Sequence, residues 1–170
     1  MLRIGIIGTG WGARVQVPAF RAAGLDVEGL AGRDPEKSKT TAESLGVPRV
    51  FKTWHELVAS PSIDLVSIVT PPIHHRAVAL AALEAGKHVI AEKPTAMNAA
   101  EAEEMLATAE ARPHQVALID HELRFLPARV ALRALMAEGR LGPIRRADYP
   151  LDSYGRVDPT RPWTWSSDRA

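Results

Sequence analysis

Short apolar runs alternate along this chain with segments whose apolar residues recur three and four positions apart, the spacings of strands and amphipathic helices respectively. Ile4-Gly5-Ile6-Ile7 is the first run, and a helical segment from Val15 to Ala23 follows it, tolerating Pro18 and ending at Gly24. Val27-Glu28-Gly29-Leu30-Ala31 reads as a second strand. Asp34-Pro35 then supplies an N-cap and a proline at the first helical position, with Gly46 placed to stop that helix. Arg49-Val50-Phe51 is a short strand, and Thr53-Trp54-His55-Glu56 has the spacing of a capping box for a helix that stops at Ser60-Pro61. Asp64 to Val69 is nearly all apolar, the pattern of a central parallel strand covered on both faces. Thr70-Pro71-Pro72 breaks it. A helix from about Ile73 to Ala85 closes at Gly86, and Lys87 to Ala91 is the fifth strand. Asn98 to Glu101 is compatible with another cap, Ala102, Met105, Leu106 and Ala109 share one helical face, and Gln115 to Ile119 makes a sixth strand. This repetition predicts an α/β fold, a doubly wound parallel Rossmann sheet with right-handed crossovers.

The rhythm changes after Asp120. Pro127 opens a helical pattern carrying Val130, Leu132, Leu135 and Met136, and Gly139 ends it. From Ile144 the chain reads as strand, then turns polar and aromatic, with Tyr149, Tyr154, Trp163 and Trp165 among prolines. The expected organisation is a nucleotide-binding domain over residues 1–120 and the beginning of a second α+β domain over residues 121–170.

The chemistry begins at Gly8-Thr9-Gly10-Trp11-Gly12-Ala13, which joins the first strand to the first helix. Strand, glycine turn and helix are the parts of a dinucleotide site. Gly8 permits the tight turn, Gly10 leaves the backbone bare for a pyrophosphate, and Ala13 is small enough for close helix packing. The N–H groups and positive dipole end of the helix then bind anions without a basic side chain. A glycine turn by itself is also compatible with a simple reversal of the chain.

Composition narrows the field. Among 170 residues, 21 Lys and Arg stand against 20 Asp and Glu, so no basic field points to nucleic acid. The chain has no cysteine, which excludes disulfides, a thiolate nucleophile and cysteine metal sites, and no metal centre is expected. Met1-Leu2-Arg3 runs straight into the first strand without a signal-peptide pattern, and no apolar run approaches the roughly 18 residues of a membrane span. A cytoplasmic protein is expected.

The motifs Gly8-Thr9-Gly10-Trp11-Gly12-Ala13, Thr70-Pro71-Pro72-Ile73-His74-His75, Ala85-Gly86-Lys87-His88-Val89 and Glu92-Lys93-Pro94 occur in an order and spacing that resemble the Gfo/Idh/MocA oxidoreductases. Arg124-Phe125-Leu126-Pro127 and Gly139-Arg140-Leu141-Gly142 extend the resemblance beyond the nucleotide domain. It implies NAD(P)-dependent hydride transfer at a hydroxyl-bearing carbon, often of a sugar, polyol or related small molecule. It further implies that an aspartate and an acid/base histidine come from beyond Ala170, so that this chain alone turns over poorly. The family's C-terminal sheet commonly builds an oligomer interface, which leaves a homo-oligomer open.

The site residues follow from position. Dinucleotide sites that prefer NAD carry an acidic residue about 20 positions beyond the glycine turn, at the end of the second strand. Gly32 and Arg33 stand there instead, a glycine to make room for a 2′-phosphate and an arginine to pair with it, so NADP is expected over NAD. Asp34 is either bent back to a ribose or a helix cap, and the cap is preferred; Arg33 as a solvated charge is the alternative to its cofactor role. Thr70, Pro71 and Pro72 lie at the carboxyl end of the fourth strand, where cofactor contact is expected, and His75 matches the family's histidine position. Lys93 is the principal catalytic candidate. At the end of the fifth strand its ammonium can stabilise an alkoxide and join proton relay, while Glu92 either orients it or touches the nicotinamide ribose. His121 and Arg124 are substrate-binding candidates that serve equally well at a domain crossing. Two readings from other classes stand beside this one. A non-catalytic dinucleotide-binding sensor or partner-binding module would bind cofactor without turnover. A methyltransferase would use the same glycines but requires an acidic ribose ligand that Gly32-Arg33 does not supply.

Overall fold

The computed structural model describes residues 1–148 and Pro150. It contains two compact units, one spanning Met1–His121 and one opening at Glu122. The first unit carries strands β1 (Arg3–Ile7), β2 (Asp26–Ala31), β3 (Arg49–Phe51), β4 (Leu65–Ile68), β5 (His88–Glu92) and β6 (Ala117–Asp120). Between them run helices α1 (Trp11–Ala22), α2 (Pro35–Leu45), α3 (Trp54–Ala59), α4 (His75–Glu84) and α5 (Ala99–Glu110).

The strands form one sheet in the order β3-β2-β1-β4-β5-β6. Every pairing is parallel. Alternation along β1 distributes its side chains between two cores. Ile4 and Ile6 pack with Ala13, Val17, Val27 and Leu30 on the face covered by α1 and α2. Ile7 packs with Leu57, Val66, Ile68, Val78 and Leu83 on the face covered by α3, α4 and α5. The Gly5 backbone lies so near Leu57 that a Cβ on Gly5 would be 2.6 Å from Leu57 Cδ2. The central strands β1 and β4 are therefore buried on both faces, as their near-continuous apolar runs require.

Because β1 pairs with β2 on one side and β4 on the other, the crossovers leave it in opposite directions. The carboxyl ends of β1 and β4 consequently border the crevice where open α/β sheets take their ligands. Local signals fix the surrounding helices. Asp34 Oδ1 accepts the Lys37 N–H at 3.1 Å, Pro35 opens α2, and Gly46 closes it in the left-handed region at φ 62°. Thr53 caps α3 through the Glu56 N–H at 3.2 Å, while Glu56 reaches back to the Lys52 N–H at 3.1 Å. Asn98 and Glu101 repeat that exchange at α5.

Several boundaries differ from those expected. Helix α1 begins at Trp11, inside the glycine motif, because Gly12 and Ala13 form its first turn against the sheet. The segment after Thr70 begins as a single 3-10 turn, Pro72–His74, before α4, since consecutive prolines lack the N–H groups that a regular first turn uses. Strand β6 starts at Ala117, not Gln115: the Gln115 N–H is spent on Arg112 O at 2.9 Å and the Val116 N–H on His88 Nδ1, while the Gln115 side-chain amide holds the carbonyls of Leu83 and Lys87. On α5 Met105 is buried and Leu106 is 58% exposed, and both line one apolar groove with Ala102 and Ala109. In the second unit α6 (Pro127–Ala137) follows a 3-10 turn over Glu122–Phe125. Residues 144–148 carry no strand, contrary to expectation. The aromatic residues Tyr149, Tyr154, Trp163 and Trp165 lie outside the described residues.

Candidate active site

The crevice is built from the glycine turn upward. Gly8 has φ 126°, and its N–H donates to Ala31 O at 2.8 Å, tying the turn to the end of β2. A side chain is excluded there twice over, by that conformation and by Val69 O, 2.5 Å from where a Cβ would stand. Gly12 is held against the sheet, with a hypothetical Cβ 2.5 Å from Val69 Cβ. Gly10 is different: nothing lies within 4 Å of its hypothetical Cβ, and the bare backbone faces open space at the N-cap of α1. No side chain caps that end and its first turn contains no acidic residue. The combination of an uncapped helix start and an open backbone suits an anionic group. Across the crevice, at the end of β4, Thr70 Oγ1 is buried and has no hydrogen-bond partner among the described residues. A hydroxyl left in that state carries a desolvation cost that a bound polar ligand relieves. These features, the open Gly10 backbone and the unpartnered Thr70 hydroxyl, fit the demands of a dinucleotide.

His75, the first residue of α4, is fully buried. Its Nε2 lies 2.9 Å from Thr70 O and its Nδ1 2.9 Å from Pro94 O. The ring therefore bridges the turn after β4 and the turn after β5 through both nitrogens. What it contributes to the site is position. Pro71 and Pro72 hold the intervening segment extended and then start the 3-10 turn.

At the end of β5, Glu92 Oε2 accepts the Lys93 N–H at 3.2 Å. Glu92 stands beside Asp120 of β6 in the parallel register. Both carboxylates are reached by the buried amide of Gln16 on α1, at 3.5 and 3.4 Å respectively. Lys93 itself is exposed at the strand end. Sequence reasoning did not find Gln16 or Asp120. The one visible signal was Ser67, a hydroxyl in an otherwise apolar strand, which donates to Gln16 Oε1.

At the end of β2 the outcome is mixed. Gly32 does not leave a vacant space: a Cβ there would lie 2.6 Å from Ser38 Oγ and 2.7 Å from Thr9 Cγ2. Its missing side chain is required by packing between the turn and α2, which corrects the expectation that it makes room for a phosphate. Arg33 is exposed. Asp34 is the α2 cap. His121 is exposed at the end of the first unit, its N–H bonded to Ile119 O at 2.9 Å. Arg124 lies in the second unit, its guanidinium 5.6 Å from the Phe125 ring centre. An apolar groove between α4, α5 and β6, lined by residues such as Leu83, Met105 and Leu118, contains no titratable side chain and is not the chemical site. Among the described residues no helix is long and apolar enough to cross a membrane.

A doubly wound sheet with this turn at its switch point is the architecture of the NAD(P)-binding Rossmann oxidoreductases. Residues 2–119 match the family model for an oxidoreductase family with an NAD-binding Rossmann fold, and the chain belongs to that family, Gfo/Idh/MocA. It is similar to human trans-1,2-dihydrobenzene-1,2-diol dehydrogenase, with 39% identity over 71% of this chain and 36% of the relative. Among solved structures it resembles a Synechocystis biliverdin reductase in complex with biliverdin and NADP+, with 31% identity and a TM-score of 0.70 over 80% of this chain and 43% of that one. It also resembles a levoglucosan dehydrogenase in complex with NADH, with 28% identity and a TM-score of 0.79 over 83% of this chain and 40% of the other. The chain spans less than half the length of the curated relatives it matches, for example 45% and 41% of two of them.

Proposed function

We propose that this chain is the cofactor-binding part, residues 1–120, and the opening of the substrate part, residues 121–170, of an NADP-dependent dehydrogenase acting on a hydroxyl-bearing carbon of a sugar, polyol or related small molecule. The carrying observation is the open backbone over Gly10 at an uncapped helix start. When bound, the nicotinamide supplies or accepts the hydride. The chain's own residues do the rest. The N–H groups of the first α1 turn hold the pyrophosphate, Arg33 pairs with the 2′-phosphate, and Thr70 gains a partner for its hydroxyl. Glu92 orients Lys93 through the backbone, and the Lys93 ammonium faces the substrate oxygen, stabilising the negative charge that grows there as the carbon loses hydride. Support for NADP comes from the Arg33 position and from the NADP+ complex of the biliverdin reductase relative. The NADH complex of the levoglucosan dehydrogenase relative keeps NAD in the test.

The experiment is a parallel fluorescence titration with NADPH and NADH, followed by turnover of the full-length protein on a panel of sugars and polyols with Lys93→Met as control. Tighter NADPH binding, with turnover lost in Lys93→Met but binding kept, is the expected result. Absence of binding to either nucleotide overturns the reading, and tight binding without turnover on any alcohol moves it to a sensor or partner-binding module.

A further inference from the structure

The polar chain Ser67–Gln16–Glu92–Asp120, buried at Ser67 and Gln16 and half-buried at the two carboxylates, ties helix α1 to three strands. Its chemistry has one consistent arrangement. The two carboxylates accept only, so the Gln16 amide must turn its two N–H bonds toward them and its oxygen toward Ser67. Ser67, fully buried on β4, donates to that oxygen and completes the hydrogen bonding of the amide that the carboxylates orient. One carboxamide then serves two acceptors that the β5–β6 register brings side by side. Like charges so placed repel unless a donor lies between them. Glu92 is fixed at both oxygens, Oε1 by Gln16 at 3.5 Å and Oε2 by the Lys93 N–H at 3.2 Å.

From this geometry we infer that Gln16 is a positioning residue of the nicotinamide half of the site, and that Asp120 belongs to the same acceptor pair as Glu92. Gln16 acts through Glu92 on the backbone of Lys93. It does this from α1, one turn after the glycines that face the phosphates, so phosphate seating and the Lys93 end of the crevice are held by one helix. The inference rests on the cofactor reading above.

The test separates the two halves of the cofactor. Affinities for NADPH and for adenosine 2′,5′-bisphosphate, which lacks the nicotinamide half, are measured by titration for the wild-type chain, Gln16→Met and Ser67→Ala. Gln16→Met keeps length and loses both donors. It should weaken NADPH about tenfold, the loss of a hydrogen bond to a charged group, and leave the bisphosphate within about twofold. Ser67→Ala leaves the amide oxygen without its donor and should show the same selectivity at smaller size, which decides the matter if Gln16→Met does not fold. Parallel loss of both ligands would mean that Gln16 only stabilises α1, and no loss would mean that the chain of bonds is idle. Either overturns the inference while leaving the cofactor reading intact. A wild-type chain that binds neither NADPH nor NADH rejects the cofactor reading and this inference with it.

Discussion

Nδ1 of His75 lies 2.9 Å from the carbonyl oxygen of Pro94, so a fully buried imidazole on α4 is fastened to the turn that carries Lys93. The opposite nitrogen meets the Thr70 carbonyl at the same distance. Replacing His75 by Leu takes both ring nitrogens away, including the N–H that serves one of the two carbonyls. The expected loss of folding stability is about 1–3 kcal/mol, read from urea unfolding, because a part-buried carbonyl loses its donor. His75→Asn, which keeps one donor group, should recover part of it. Equal stability in wild type and His75→Leu would show that the bridge contributes nothing.

The glycines of the turn should respond in opposite ways. Gly12→Ala forces a methyl to within 2.5 Å of Val69 Cβ and should cost about 1–3 kcal/mol of stability by overpacking. Gly10→Ala meets no atom within 4 Å and should unfold at the wild-type temperature, yet lose NADPH affinity because the methyl occupies the space over the bare backbone. Thermal unfolding and nucleotide titration on the same two variants check the pair.

At the end of β2, Arg33→Ala should weaken NADPH by about tenfold or more and leave NADH unchanged, since only the 2′-phosphate loses a charged partner. Asp34→Ala should do something else. Its carboxylate caps α2, so the variant should lose about 1 kcal/mol of stability without altering the NADPH to NADH preference. A change of preference in Asp34→Ala would return Asp34 to the ribose.

At the opposite end of the sheet, the Arg3 guanidinium and N–H bond Asp64 at 2.8 to 3.0 Å and hold its carboxyl well below the usual carboxylate range. An acid that ionises more readily folded than unfolded adds stability above the unfolded value of about pH 4, and that contribution disappears as pH falls through the lowered folded value. Unfolding midpoints measured from about pH 6 to about pH 2 should therefore drop more steeply for wild type than for Asp64→Asn. Identical slopes would remove the pair from acid stability.

What could be read in the sequence was what is local. The cap and terminator of α2 need only Asp34, Pro35 and Gly46, each acting within a turn of its own position. The doubly wound parallel sheet followed from the strand–helix repetition, and Gly8, Gly10 and Ala13 announced the crevice by their spacing. The Gln16 contacts were hidden because its partners stand 51, 76 and 104 positions away, at distances that only the folded sheet shortens. His75 was recognisable by position through family resemblance, but its burial and its two carbonyl contacts depend on where two separate turns meet. Gly32 misled for a related reason. The atoms that fill its space, Ser38 Oγ and Thr9 Cγ2, belong to a different helix and a different turn.

The sheet closes on β3 with three residues and on β6 with four. An edge recruits a foreign strand through its outward N–H and C=O groups, and only alternate residues present them. At either margin an invading segment would find no more than about two such residues before the chain turns away into a helix or turn. Brevity is thus the fold's protection along its borders. A substitution that lengthened β6 back through Val116 and Gln115 would add docking points and side chains already half in water, converting a margin into a seam.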